Sequence, residues 1–237
     1  MDQGAARSSP NGVPAISAHR RDEAGLIGLR DAVASGADYV EVDVRRTADG
    51  VLVVHHDRTV GGVPLSRCTF ARARELAPGP VPRVAEALEI IRGRARGHVD
   101  LKERGCEHEA VALALEAFGP DGFVVTSREA ASVALIKRDF PQVTAALSVG
   151  RGLWERGAVR DFVPLRAIRG CGADMVALNH RLARAGVLAQ CARARIPAMV
   201  WTVNAVPLMR RFLSDPRVAV LITDHPGTAL RLRRHKS

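Results

Sequence analysis

Short apolar, β-rich runs alternate along the chain with stretches whose apolar positions recur at helical spacing. The strand pattern falls on residues 15–19, 39–44, 97–102, 122–126, 143–149, 174–178, 198–203 and 218–223, and the helical pattern on 25–35, 84–92, 107–118, 128–139, 163–170, 181–194, 206–213 and 227–234. Alternating β and α units predict a parallel sheet with helical crossovers, and eight of them predict that the sheet closes. The expected fold is a (β/α)8 barrel, an α/β architecture, in a single domain spanning 14–237. The first thirteen residues are polar and unpatterned and are expected to be a disordered tail.

One segment breaks the rhythm. Residues 58–82 are rich in Gly, Pro, Ser and Arg, with only a short helical hint at 69–76. A loop of that length asks for a use, and it is expected to run as an excursion over the active face.

The second strand carries the most chemistry. In YVEVDVRR, Val40, Val42 and Val44 alternate with Glu41, Asp43 and Arg45. Side chains at i and i+2 of a strand share a face about 6.5–7 Å apart, so Glu41 and Asp43 can hold one cation between them. The valines on the other face predict burial, and a buried carboxylate needs a cation or a donor. A turn at Ala48-Asp49-Gly50 returns the apolar run 51–54 alongside this strand, which delivers His55, His56 and Asp57 near the carboxylates. In a barrel of this kind the chemistry lies at the C-terminal ends of the strands. His19, Glu41 and Asp43, Asp100 and Lys102, Asn179 and His180, the segment 201–204, and Thr223 with Asp224 all fall there.

Composition and charge trim the alternatives. The 237 residues are 47% hydrophobic, enough for a full core. The net charge of +10 attracts phosphates whatever carries them. It does not argue for nucleic acid here, because the arginines are spread over all but one of the predicted helices and aromatic residues that could stack on bases are few. No apolar run reaches the length of a membrane span, so stable membrane insertion is not expected, and a cytoplasmic protein is the default. Cys68, Cys106, Cys171 and Cys191 are scattered without metal or redox spacing, and they are expected to be ordinary thiols. Oligomeric state is open.

Several motifs, in order along most of the chain, give the pattern a family. Ala18-His19-Arg20, GADYVEVDVRRTADGVLVVHHD, VDLKE, WTVN and TDHP together resemble the glycerophosphodiester phosphodiesterases. The resemblance implies a metal-dependent phosphodiesterase that hydrolyses glycerophosphodiesters, or a related small phosphate ester, to an alcohol and a phosphomonoester. It also implies Glu41, Asp43 and Asp100 as ligands of a divalent metal, Mg2+ or Ca2+, and oxygen-only ligands suit such hard cations. His19 and His56 match the two catalytic histidines, Arg20 and Lys102 the phosphate-holding residues, and Trp201 an apolar wall under the glycerol or the other alcohol. His55 is expected at the surface or behind the site, His98 as a packed structural residue, and His180 as a substrate contact. His108, His225 and His235 are expected at the surface or in loops, and Thr223-Asp224 as a helix cap. The chain departs from the family pattern after His19-Arg20, where Arg21 replaces a glycine and only Glu23 survives of the usual loop, and at Asp100, where glutamate is common. These departures leave open a lysophospholipase-D-like or phosphomonoesterase activity, or a non-catalytic barrel that binds an anion.

Overall fold

The computed structural model describes residues 12–19, 25–150 and 158–234. The chain runs β1 (Ala15–Ala18), α1 (Gly25–Ala34), β2 (Tyr39–Arg46), β3 (Leu52–Val54), β4 (Thr59–Val60), β5 (Val63–Pro64), α2 (Phe70–Leu76) and α3 (Val84–Ile91). It continues through β6 (Arg96–Leu101), α4 (Glu107–Phe118), β7 (Phe123–Ser127), α5 (Ala130–Asp139), β8 (Thr144–Val149), α6 (Leu165–Gly170), β9 (Met175–Asn179), α7 (His180–Leu182) and α8 (Leu188–Arg193). Then come β10 (Ala198–Trp201), α9 (Val206–Leu213), β11 (Val218–Thr223) and α10 (Pro226–Arg234). The parallel order is β1-β11-β10-β9-β8-β7-β6-β2, and β1 pairs with β2 to close the ring. All eight predicted strands are its staves, and the fold is a (β/α)8 barrel.

The strand alternation explains where the core lies. Val40, Val42 and Val44 face the helices and belong to the large apolar layer between sheet and helices. Their neighbour Tyr39 instead joins Val124, Met175, Met199, Val220 and Ile222 in a second cluster. That cluster plugs the lower barrel with side chains of alternating strands, as such barrels require, so polar side chains can gather only above it.

The predicted return after the second strand is present. Gly50, at φ 86°, allows the turn, and Thr47 accepts the Val51 N–H on its side chain at 3.0 Å. The strand β3 then pairs antiparallel with β2, Val44 opposite Val54. Beyond it the excursion has a small core of its own, with Val53, Val60, Leu65, Cys68, Ala73 and Val81 buried together. It is therefore a packed unit, and the helical hint is α2, whose Thr69 accepts the Arg72 N–H as an N-cap.

Two predicted helices differ from expectation for local reasons. The stretch 181–194 is broken, because Gly186 takes φ 99° between α7 and α8. The helix expected from residue 128 begins at Ala130. The Ser127 hydroxyl accepts the Glu129 N–H at 3.2 Å and donates to the Leu101 carbonyl at 3.1 Å, so a turn occupies 128–129 and leaves Arg128 at the barrel mouth. The expected role of 1–13 as a tail falls largely on residues 1–11, which lie outside the described residues, as do Arg20, Arg21, Glu23 and His235. All four cysteines are buried and free. Among the described residues no helix is long and apolar enough to cross a membrane.

The approach of α4 to β7 is tight enough to test. A Cβ on Gly122 would sit 2.2 Å from the Phe118 carbonyl oxygen and 2.7 Å from its Cβ, and backbone cannot swing aside. Gly122→Ala is expected to destabilise the barrel by about 1–3 kcal/mol through overpacking. Thermal unfolding followed by circular dichroism should show this as a midpoint lowered by about 2–4 °C for each kcal/mol.

Candidate active site

Strand register assembles the acidic cluster. In the β2–β6 pair Asp43 lies opposite Asp100 and Glu41 opposite His98, and in the β6–β7 pair Asp100 lies opposite Thr126 and His98 opposite Val124. Glu41, Asp43 and Asp100 thus come from two neighbouring strands, and one oxygen of each lies within 4.8 Å of the others. Glu41 and Asp43 are almost fully buried and Asp100 nearly so, with side-chain exposures of 8%, 3% and 14%.

Three anions this close repel one another, and the surrounding groups answer that repulsion. The Lys102 ammonium lies 2.9 Å from Asp43 and also contacts Asp100, so it bridges two of the three. Thr126 donates its hydroxyl to Asp100 at 2.5 Å. Burial opposes the Asp100 charge, yet Lys102 and these hydrogen bonds keep its carboxyl below the usual range. Glu41 has less help. Its Oε2 accepts no hydrogen bond, and its nearest basic neighbour is His98 Nδ1 at 3.5 Å. Burial, reinforced by Asp43 and Asp100 and only partly offset by His19 and Lys102, pushes Glu41 up to about 8.

This donor set fits a hard divalent cation. The available donors are all carboxylate oxygens, and Glu41 is buried with an oxygen that accepts no hydrogen bond. Sequence reasoning placed these three residues together, and the barrel brings them together.

His19 follows β1 and is fixed from the far end of the chain. Its Nδ1 lies 2.6 Å from Asp224 Oδ1. The other Asp224 oxygen accepts the Asn204 amide at 2.5 Å, and the Asn204 carbonyl oxygen accepts the Asp224 N–H at 3.0 Å and the Thr223 hydroxyl at 3.2 Å. The WTVN and TDHP motifs therefore form one buttress behind His19. Burial works against the imidazolium, but the Asp224 hydrogen bond, with the charges of Glu41, Asp224 and Asp43, outweighs it and holds His19 at about 9. The expected helix-cap role of Asp224 is thus corrected: its carboxylate is engaged by His19 and Asn204. The motifs were visible, but the pairing was not, because the partners are 205 residues apart in sequence.

His56 lines the same cavity as His19, half exposed, with its Nδ1 2.9 Å from Asp57. Its backbone is anchored by the buried Arg45, whose Nε and Nη2 donate to the His56 carbonyl at 3.0 and 2.8 Å. Glu103 holds Arg45 in turn at 3.1 Å and accepts the Arg46 N–H at 2.7 Å. This clamp joins the VDLKE motif to the loop that carries His56, and single-residue reasoning overlooked it. His55 bonds the Thr59 carbonyl at 3.1 Å, a loop-shaping contact, and also reaches the cavity wall.

His98 is packed as expected, between the Ser17 hydroxyl and the Thr126 hydroxyl at 3.0 Å each, and it floors the cavity. Burial, with His19 and Lys102 nearby, pushes it down to about 4, so it is neutral at physiological pH. His180 departs from expectation. The strand β9 runs to Asn179, whose side chain accepts the Arg181 N–H at 2.9 Å and starts α7, and His180 is not among the residues lining the cavity. Trp201 does line it, with its Nε1 donating to the Ala177 carbonyl at 2.9 Å. The cavity measures about 910 Å³, and Val60–Gly62 and 77–81 of the excursion form one of its walls.

Among curated protein sequences none matches the chain. Solved structures share its fold at low identity. A glycerophosphodiester phosphodiesterase from Parabacteroides distasonis superposes with a TM-score of 0.78 at 20% identity, covering 94% of this chain and 98% of that one. One from Agrobacterium tumefaciens gives 0.71 at 21% identity, covering 92% and 99%. A phosphodiesterase from Oleispira antarctica, solved with its product sn-glycerol-3-phosphate, gives 0.71 at 18% identity, covering 95% and 99%. The sequence profile of the glycerophosphoryl diester phosphodiesterase family matches residues 11–77, the segment that carries His19, Glu41, Asp43 and His56. That match covers the first part of the chain, and the solved neighbours share its barrel fold.

Proposed function

We propose that the chain is a divalent-metal-dependent phosphodiesterase that cleaves small glycerophosphodiesters to an alcohol and a phosphomonoester. The observation that carries this reading is the carboxylate cluster of Glu41, Asp43 and Asp100, bridged by Lys102, in a cavity lined by His19 and His56. The sn-glycerol-3-phosphate held by the Oleispira antarctica enzyme supports a substrate of this class. In this reading Glu41, Asp43 and Asp100 hold Mg2+ or Ca2+, which when bound supplies Lewis-acid stabilisation of charge on a nonbridging phosphate oxygen.

The remaining chemistry belongs to the side chains. Lys102 lies beside the cluster and stabilises the phosphate oxygens as charge grows on them, together with Arg20, next in sequence to His19. The Asp57 carboxylate accepts a hydrogen bond from the His56 Nδ1–H, and in that tautomer Nε2 carries a lone pair. That atom takes the proton of the attacking water, or of a neighbouring substrate hydroxyl that forms a cyclic phosphate first. His19, held protonated by Asp224, gives its proton to the leaving alcohol oxygen as the P–O bond breaks. Trp201 lines the alcohol side.

Three outcomes test the reading. Hydrolysis of glycerophosphodiesters should vanish with EDTA and return with Mg2+ or Ca2+, and His56→Ala and His19→Ala should each lower kcat by about 10²–10⁴-fold. Wild-type turnover by His56→Ala would remove the acid-base assignment.

Because Glu41 holds a proton up to about pH 8, metal binding must release it. Calorimetric affinity should therefore strengthen between pH 6 and 8, by up to about tenfold per pH unit for one proton released, and level off above. An affinity flat over this range would show that Glu41 is already ionised.

The sign for His19 is the reverse of that for Glu41. An acid catalyst is lost as pH rises through its pKa, and Asp224→Asn removes the anion that raises that pKa. The alkaline limb of kcat/KM should move to lower pH by about one unit or more in the variant. An unmoved limb would mean that Asp224 does not govern His19.

A further inference from the structure

Trp201 is expected to be an apolar wall under the glycerol or the other alcohol, but a cation already covers it. The Arg128 guanidinium lies over the indole, 5.4 Å from its centroid, and both residues line the cavity. The indole is not free to turn away. Its Nε1 is committed to the Ala177 carbonyl, and Gly150 packs so close that a Cβ there would lie 3.1 Å from Trp201 Cζ2. Arg128 is delivered to this place by the Ser127 turn that delays α5.

Recognition of a quaternary ammonium relies on open aromatic faces, ordinarily several in a cage. Among the described residues lining this cavity Trp201 is the only Trp, Tyr or Phe, and its face carries Arg128. What the wall offers a ligand is a guanidinium fork of up to five N–H donors, with the hydroxyl-bearing Ser148 and Thr202 on the same cavity. Such a wall suits hydroxyl groups or negative charge. Glu129, next in sequence, also lines the cavity and is the one carboxylate adjacent to Arg128 along the chain.

We infer that the Arg128–Trp201 stack selects the leaving alcohol, admitting polyol or anionic head groups such as glycerol and inositol and rejecting cationic ones such as choline. This rests on the phosphodiesterase reading above and names its substrate class. A trimethylammonium on this wall would either meet the guanidinium at contact distance or displace it from the ring. Repulsion between two unit charges a few ångströms apart at a partly screened site is worth about tenfold or more in affinity.

The test is a comparison of kcat/KM for glycerophosphoglycerol, glycerophosphoinositol and glycerophosphocholine with the metal-loaded full chain. Wild type should prefer the two polyol diesters to the choline diester by about tenfold or more. Arg128→Gln, which keeps a polar side chain with N–H donors and removes the charge, should bring that ratio towards one by improving the choline diester relative to the others. Arg128→Lys, which keeps the charge, should retain discrimination against choline. Equal wild-type turnover of all three, or a ratio untouched by Arg128→Gln, would overturn the selector while leaving the phosphodiesterase reading intact. No turnover of any diester would instead bring down both.

Discussion

Three carboxylates packed at the mouth of a closed sheet are the constraint around which the rest of this molecule is arranged. The register of β2 against β6 gives Glu41, Asp43 and Asp100 no room to separate, and the plugged lower barrel leaves them nowhere else to go. A buried charge is tolerated only when paired or hydrogen-bonded. Lys102, Thr126 and His98 can each be understood as an answer to that demand. Lys102 supplies positive charge between two of the acids, and Thr126 donates to one of them. His98, neutral and bonded on both ring nitrogens, fills the floor without adding a competing charge. Among the described residues the His19 and Lys102 charges offset burial only in part, and Glu41 is left raised in consequence.

The same constraint reaches His19. Its imidazolium is stabilised by the acidic cluster and by Asp224 together, so its protonation is tied to the state of Glu41. Binding of a divalent ion at the carboxylates would cancel much of the field they exert on His19, but not the direct Asp224 bond. This gives the Asn204–Asp224 buttress a purpose that orientation alone would not require. It secures a proton on His19 when the charge that otherwise holds it has been neutralised.

Much of this was legible in the sequence because it depends on short-range pattern. Alternation along Tyr39–Arg46 announces both the buried strand and the shared face of Glu41 and Asp43, and Ala48-Asp49-Gly50 announces the return that delivers His56. Those signals lie within a few residues, and backbone geometry fixes their outcome. The barrel followed from counting such segments. The Asp224–His19 pair, the Arg45–Glu103 clamp and the Arg128–Trp201 stack were not legible, since each joins distant positions through a register that periodicity does not specify. His180 shows the converse error. Its place just after a strand suggested the site, but Asn179 begins a helix there, and a one-residue difference in where a strand ends decides which side chain meets the cavity.

The departures from the family pattern acquire a physical sense when the site is taken as a whole. A shorter acid at position 100 is compatible with the cluster because Thr126, one strand over, meets it with a 2.5 Å hydrogen bond and Lys102 closes the other side. Asp100 is thereby held where its reach is short, while Glu41, one methylene longer, retains an oxygen without a donor. A ligand set of one long and two short carboxylates on adjacent strands divides its work accordingly. Lys102 lies against both short acids before any ion arrives, and the long one is left with a labile proton to exchange for the ion. The cost of keeping Glu41 buried with an oxygen that accepts no hydrogen bond is therefore what couples cation binding to proton release at this site.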